Sequence, residues 1–133
     1  MAKLTQEMKD MIASQQSFVA TVSKDGTPNV VPKGSMRVLD DETILYQEGF
    51  GGQTHQNILD GSKVAITVVD RKTPDGYRFM GTPQVHTSGP LFDQIAEAAE
   101  KMGRPKPLAA VKVPIEEIYS VKPGRNAGKR IDQ

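Results

Sequence analysis

The chain has 133 residues, a length that holds one domain, 1–133, and leaves no room for a second core. Seventeen Lys and Arg against sixteen Asp and Glu give a formal charge of +1, too little for the broad positive field of sequence-independent nucleic-acid binding. With no cysteine, a disulfide framework, a thiolate nucleophile and a Cys-ligated metal are all excluded, and cytoplasmic residence is expected.

Val, Ile, Leu and Phe supply 30 of the 133 residues, above the ~20% below which chains stay disordered. No apolar run approaches the ~18 residues of a membrane span, and MAKLTQEMKD lacks the apolar stretch of a signal peptide, so no membrane contact is expected. Twenty Val and Ile stand against six Leu. β-branched side chains fit a pleated surface and lose rotamer freedom in helices, so the core is predicted to be mostly strands.

A first helix, within 1–16, is predicted from Thr5 as its N-cap and from Leu4, Met8, Met11 and Ile12 at helical spacing. From Ser17 the period switches to two, with Phe18, Ala20 and Val22 on one face, until Asp25-Gly26 turns the chain. The second strand is predicted over 29–39, with Pro32 placing it at an edge or a bulge. Thr43 to Glu48 forms the third. After Gly49-Phe50-Gly51-Gly52, Thr54 to Asp60 makes a two-turn helix that Gly61 ends. Lys63 to Asp70 is a near-continuous apolar run and reads as a strand buried on both faces.

The fifth strand is predicted over 77–87, bent at Gly81 and Pro83. Ser88 or Gly89 then caps a helix with Pro90 near N1 and the stripe Leu91, Phe92, Ile95, Ala99 and Met102. A sixth strand, 109–121, carries Pro114 as an internal break, and 122–133 is a basic tail without apolar pattern. Six strands in hairpin order with three helices in the gaps are predicted to form a closed or nearly closed antiparallel barrel, since closure removes exposed edges; an α+β open sheet is the competitor.

Two histidines, His55 and His86, are too few for a His-rich metal cluster and do not stand at ligand spacing, so no metal site is expected. No G-x-S-x-G elbow is present. The tail segment Gly124 to Lys129 lacks the spacing, the hydroxyl residue and the following helix of a P-loop. What remains is Gly49 to Asn57, GFGGQTHQN. Glycines let successive backbone N–H groups converge, and the start of the next helix adds free donors, which together suit a phosphate dianion. Thr54 offers a hydroxyl and Asn57 an amide to the same concavity. Lys33, one strand earlier, is predicted to neighbour Tyr46 or Gln47 across the ladder and to bring a cation to the phosphate or to an anionic ring. An ordinary strand-to-helix loop and a solvated edge lysine are the plain alternatives.

These residues resemble the pyridoxamine 5′-phosphate oxidase-like flavoproteins of the FMN-binding split-barrel fold. The resemblance runs from about Phe18 to Lys129 and rests on Val30-Val31-Pro32-Lys33-Gly34-Ser35, on Gly51-Gly52-Gln53-Thr54 followed by Gln56-Asn57-Ile58, on Val64 to Asp70, on Gly76-Tyr77 through Gly81, and on Pro123 to Lys129. It implies a mainly β split barrel and a homodimer with FMN at the subunit interface. By position, Val31, Pro32, Lys33, Gly34 and Ser35 would line the ring and ribityl chain. Gln53 and Thr54 would hold the phosphate with Lys33 as the nearby cation, and Gln47, Phe50, Gly51, Gly52 and Asn57 complete the expected cofactor site.

Many relatives carry a lysine or arginine where this chain has Gln53, so one charge-assisted phosphate contact becomes neutral, a difference of ~1 kcal/mol or more. The chain has no Trp, so the C-terminal Trp and Arg that serve the vitamin in true pyridoxamine phosphate oxidases have no counterpart and vitamin B6 oxidation is not expected. The resemblance implies an oxidoreductase that passes hydride or electrons between a reduced donor and a small acceptor. Its alternatives are a non-enzymatic electron carrier and a deazaflavin-dependent relative. A ligand-free barrel whose tail (Lys122, Arg125, Lys129, Arg130) contacts nucleic acid is a reading from another class, and the scarcity of aromatics for base stacking argues against it. If Lys33 faces the phosphate or the ring edge, Lys33→Ala is expected to weaken flavin binding by roughly 1 to 3 kcal/mol while leaving the apo-protein's melting temperature nearly unchanged.

Overall fold

The structure is a computed structural model that describes residues 1–133. Eight strands and three helices alternate along the chain. Helix α1 (Gln6–Ser14) starts at Thr5, whose hydroxyl accepts from the Met8 N–H, as its sequence position predicts. Strands β1 (Ser17–Val22) and β2 (Pro28–Lys33) form a hairpin, and β2 is an edge strand, the place that Pro32 requires.

The predicted second strand is in fact two. Gly34-Ser35-Met36 turns the chain, and β3 (Arg37–Asp40) leaves β1 to pair with β4 (Thr43–Glu48). The predicted fifth strand also divides, into β6 (Gly76–Gly81) and β7 (Gln84–His86). Eight strands therefore replace six.

With α2 (Gln53–Leu59), β5 (Val64–Val69), α3 (Pro90–Lys101) and β8 (Ala109–Ser120), the sheet runs β2-β1-β5-β6-β8-β4-β3, and β7 adds to β8. All pairings are antiparallel. The sheet curls into a half-barrel whose two end strands, β2 and β3, are joined by only three residues yet share no ladder, so the sheet is split between them. Pro114 does not interrupt β8. The strand passes through it unbroken, serving β4 along one stretch and β6 along the next.

Gly81 makes that change of partner possible. It sits where the β6–β8 register shifts, and a Cβ there would stand 2.5 Å from the Pro114 carbonyl oxygen. Only a residue without a side chain lets the two backbones approach so closely.

The concave side carries the main core, with Val19, Ile44, Tyr46, Ile66, Val68, Phe79, Val111, Val113, Ile115 and Ile118 almost fully buried and Met8, Met11 and Ile12 of α1 packed among them. Strand β5 is buried on one face only: Val64, Ile66 and Val68 point inward, while Ala65 and Thr67 are half-exposed and Val69 is exposed. On the other side of the sheet, α3 sets Ile95 against Leu45 and Ala110. Met102, predicted in the α3 stripe, is exposed. The tail is not free of structure. Arg130 bridges to Tyr119 of β8 and pairs with Glu117 and Asp132, and its guanidinium holds the Asp132 carboxyl down at about 2.

Candidate functional site

The period of two along β2 sorts its residues into two sets. Asn29, Val31 and Lys33 turn toward a groove, while Val30 and Pro32 face the outer side and are exposed. The same alternation along β4 sends Ile44, Tyr46 and Glu48 inward and Gln47 the other way, with Leu45. Between β2 and the segment Gly49 to Thr54 lies a groove of about 380 Å3. Of the twelve residues singled out in the sequence, it brings together Val31, Lys33, Phe50, Gly51, Gly52, Gln53 and Thr54. Asn29, Glu48 and Gly49 join them.

The other five stand beside the groove. Pro32 is on the outer face, opposite Phe18. Gly34 and Ser35 form the turn after β2, where the Ser35 hydroxyl accepts from the Gln47 N–H at 2.9 Å. Asn57 is buried under α2. It donates to the Thr21 hydroxyl at 3.0 Å and accepts from the Gln53 side chain at 2.6 Å, which fastens the helix to β1 and orients Gln53.

The amino end of α2 has no side-chain cap, so its first N–H groups point out unmet by any capping oxygen. Thr54, in that first turn, is 4% exposed, and its hydroxyl accepts from Asn29 at 2.9 Å. Gly51 holds φ +76°, a backbone that favours glycine, and a Cβ there would stand 3.0 Å from a terminal methyl of Leu108, which would have to give way slightly. Phe50, between two glycines, is 87% exposed at the mouth.

Lys33 reaches the expected neighbourhood by a different route. It pairs with Ser17 in the ladder, not with β4, yet its Nζ lies 5.6 Å from the centroid of the Tyr46 ring. The ammonium is also engaged. Glu48 Oε1 is 3.2 Å from Lys33 Nζ, and Glu48 Oε2 accepts from the Gly51 N–H at 3.2 Å. Both partners are largely enclosed, at 16% and 7% side-chain exposure. Burial, with Glu48 close by adding to it, pushes the Tyr46 phenol above its ordinary value; its hydroxyl has no partner in the fold.

Glu48 was legible in the sequence by a signal left unused. In TILYQE it shares parity with Ile44 and Tyr46, and a carboxylate on a core-facing parity demands a cation within reach. Asn29 shares parity with Lys33 in the same way.

A second, larger groove of about 540 Å3 runs along α3 between Phe92 and Lys106, lined mostly by charged side chains. It shares no residue with the glycine loop. No helix is long and apolar enough to cross a membrane.

Comparison with known proteins places this geometry. The pyridoxamine 5′-phosphate oxidase family model matches residues 4–122. The uncharacterized protein MJ0282 of Methanocaldococcus jannaschii is 40% identical over 133 aligned residues, covering 97% of this chain and 88% of that one. HupZ of Group A Streptococcus superposes with a TM-score of 0.83 at 42% identity, over 94% of this chain and 99% of that chain. An FMN-binding protein from Syntrophomonas wolfei shares the fold with a TM-score of 0.74 at 19% identity, over 88% and 85% of the two chains. The overall fold is thus shared with these relatives, and with its family model matching residues 4–122 the chain belongs to the pyridoxamine 5′-phosphate oxidase family.

Proposed function

We propose that the protein binds FMN in the groove between β2 and the glycine loop and acts in the cytoplasm as a flavin-dependent oxidoreductase on a small molecule. The observation that carries this reading is the uncapped start of α2 opening into a groove that also holds the Thr54 hydroxyl, with Val31 and Phe50 as apolar walls. The residues fit the group. Backbone N–H groups at Gln53 and Thr54 suit the phosphate oxygens, Gly51 and Gly52 let the backbone approach, and Val31 supplies packing for the ring. Bound FMN supplies hydride and electron transfer through its own ring system, so the protein's part is to anchor, orient and shield it. Nothing in the groove needs to act as an acid–base pair for that.

The reading includes a homodimer. On the outer face of β2, β1 and β5, Val30, Val22, Val69 and Phe18 are 63, 46, 44 and 41% exposed, an apolar strip that a second copy would cover. A sedimenting mass of twice 14.5 kDa is expected, falling to 14.5 kDa in Val30→Glu; a wild-type monomer at micromolar concentration would remove the dimer from the proposal.

Purified protein is expected to quench FMN fluorescence saturably at one flavin per chain. A colourless protein that leaves FMN fluorescence unchanged would falsify the flavin reading. Within it, oxidation of NADH or NADPH that accelerates with protein and FMN together marks a reductase, and a bound flavin inert to nicotinamides marks an electron carrier. A deazaflavin in place of FMN is the second reading. It is favoured by Gln53, a neutral side chain already bonded to Asn57, which makes the phosphate end less demanding of a dianion.

A further inference from the structure

Strand parity aims Glu48 at the inside of the curled sheet, at the point where β4 ends and the glycine loop begins. Each oxygen of its carboxylate is committed, Oε1 to Lys33 Nζ and Oε2 to the Gly51 N–H, both at 3.2 Å. The groove has one cationic side chain, Lys33, and one carboxylate, Glu48; every other lining residue is neutral. Its formal charge is zero. Two groups that would otherwise face an anion, the ammonium and the N–H of Gly51, already have one supplied by the chain itself. With the pair 16% and 7% exposed, water screens it little.

FMN and riboflavin share the ring and ribityl chain and differ in a phosphate of about −1.5 to −2 charges at neutral pH. A groove of zero charge leaves that phosphate with backbone dipoles, the Thr54 hydroxyl and the Asn29 and Gln53 amides. We propose that Glu48 is a specificity-determining residue: as the internal counter-anion of Lys33 and Gly51, it sets how strongly the site prefers a phosphorylated over an unphosphorylated flavin. This rests on the flavin reading above and adds the group that tunes it. Glu48→Gln keeps the length of the side chain and one oxygen to accept from Gly51, and removes the charge together with the acceptor that faces Lys33.

The test compares FMN and riboflavin dissociation constants by fluorescence quenching for the wild type, Glu48→Gln, Lys33→Gln and the double variant, with groove charges of 0, +1, −1 and 0. Glu48→Gln is expected to tighten FMN about tenfold and to move riboflavin less than about twofold. Lys33→Gln is expected to shift the FMN-to-riboflavin ratio the opposite way. The double variant is expected to return to the wild-type ratio, with a cooperative melting transition as the check that it folds. A structural role for Glu48 would weaken both flavins alike. Equal shifts for the two flavins, or a ratio that ignores groove charge, overturn the assignment of Glu48 while leaving the flavin reading in place; failure of both flavins to bind any of the four proteins overturns the flavin reading and this inference together.

Discussion

Gly81→Ala is expected to destabilise the protein by about 3 kcal/mol or more, a fall of roughly 10 °C in Tm for a chain of this length. The added methyl would stand 2.5 Å from the Pro114 carbonyl oxygen and 2.8 Å from Val113 Cγ1. The first contact is with backbone, which cannot rotate aside as a flexible side chain can. Strand β8 cannot retreat either, because Val113 and Pro114 are paired on their other side with Ile44 and Thr43 of β4. Relief therefore requires β6 and β8 to part at the register shift. The stiffer unfolded chain of an alanine variant returns only ~0.4 to 1 kcal/mol.

Gly34→Ala is the matched control, since a Cβ there meets nothing within 4 Å. It is expected to change stability by less than about 0.5 kcal/mol. Urea denaturation of the two variants beside the wild type checks the difference, and a Gly81→Ala protein as stable as Gly34→Ala would show that the close approach of β6 and β8 is not a constraint.

The same position shows what the sequence could and could not reveal. Gly81 and Pro83 mark a bend in a strand, but whether the chain continues in the same ladder or crosses to a new partner depends on residues far away in sequence. Hence 77–87 reads as one strand and folds as β6 and β7, and 29–39 reads as one strand and folds as β2 and β3. Local alternation is unaffected by such crossings, so the existence and type of nearly every element were legible. The split itself, with consecutive strands β2 and β3 at opposite ends of the sheet, does not show in that alternation and was expected only from the family resemblance.

The burial of β5 shows a related limit. An apolar run such as VAITVV is compatible with cover on both faces, and only the tertiary arrangement shows Ala65, Thr67 and Val69 on an open outer surface. In the site, the glycine loop and Lys33 could be placed together from their order in the chain. That the ammonium is shared with Glu48 needed strand parity in β4 to be carried one residue further, to the carboxylate at its end.

That pairing changes what Lys33→Ala should do. A lysine aimed only at a ligand would leave the apo-protein's Tm unchanged when removed. Here Glu48, at 7% exposure, would lose its cation and keep a single neutral donor, the Gly51 N–H. Breaking a buried pair from one side costs ~3 to 5 kcal/mol because the remaining charge stays desolvated. Lys33 is partly open at 16%, and water can enter the space the side chain vacates, so about 2 to 3 kcal/mol is expected, with Tm lower by roughly 6 to 10 °C. Flavin affinity measured on the folded fraction should fall as well, through the lost cation and through a loop that Glu48 no longer holds in place.

The two effects separate in a double-mutant cycle. Lys33→Met with Glu48→Gln removes both charges and leaves no buried ion, so it should recover most of the stability lost in Lys33→Ala. Urea midpoints of the apo-proteins decide the matter. If Lys33→Ala melts with the wild type, the Lys33–Glu48 pair contributes nothing to the fold and the ammonium belongs to the ligand alone; if the double variant is no more stable than Lys33→Ala, the loss comes from packing of the lysine stem against Tyr46 and not from the stranded carboxylate.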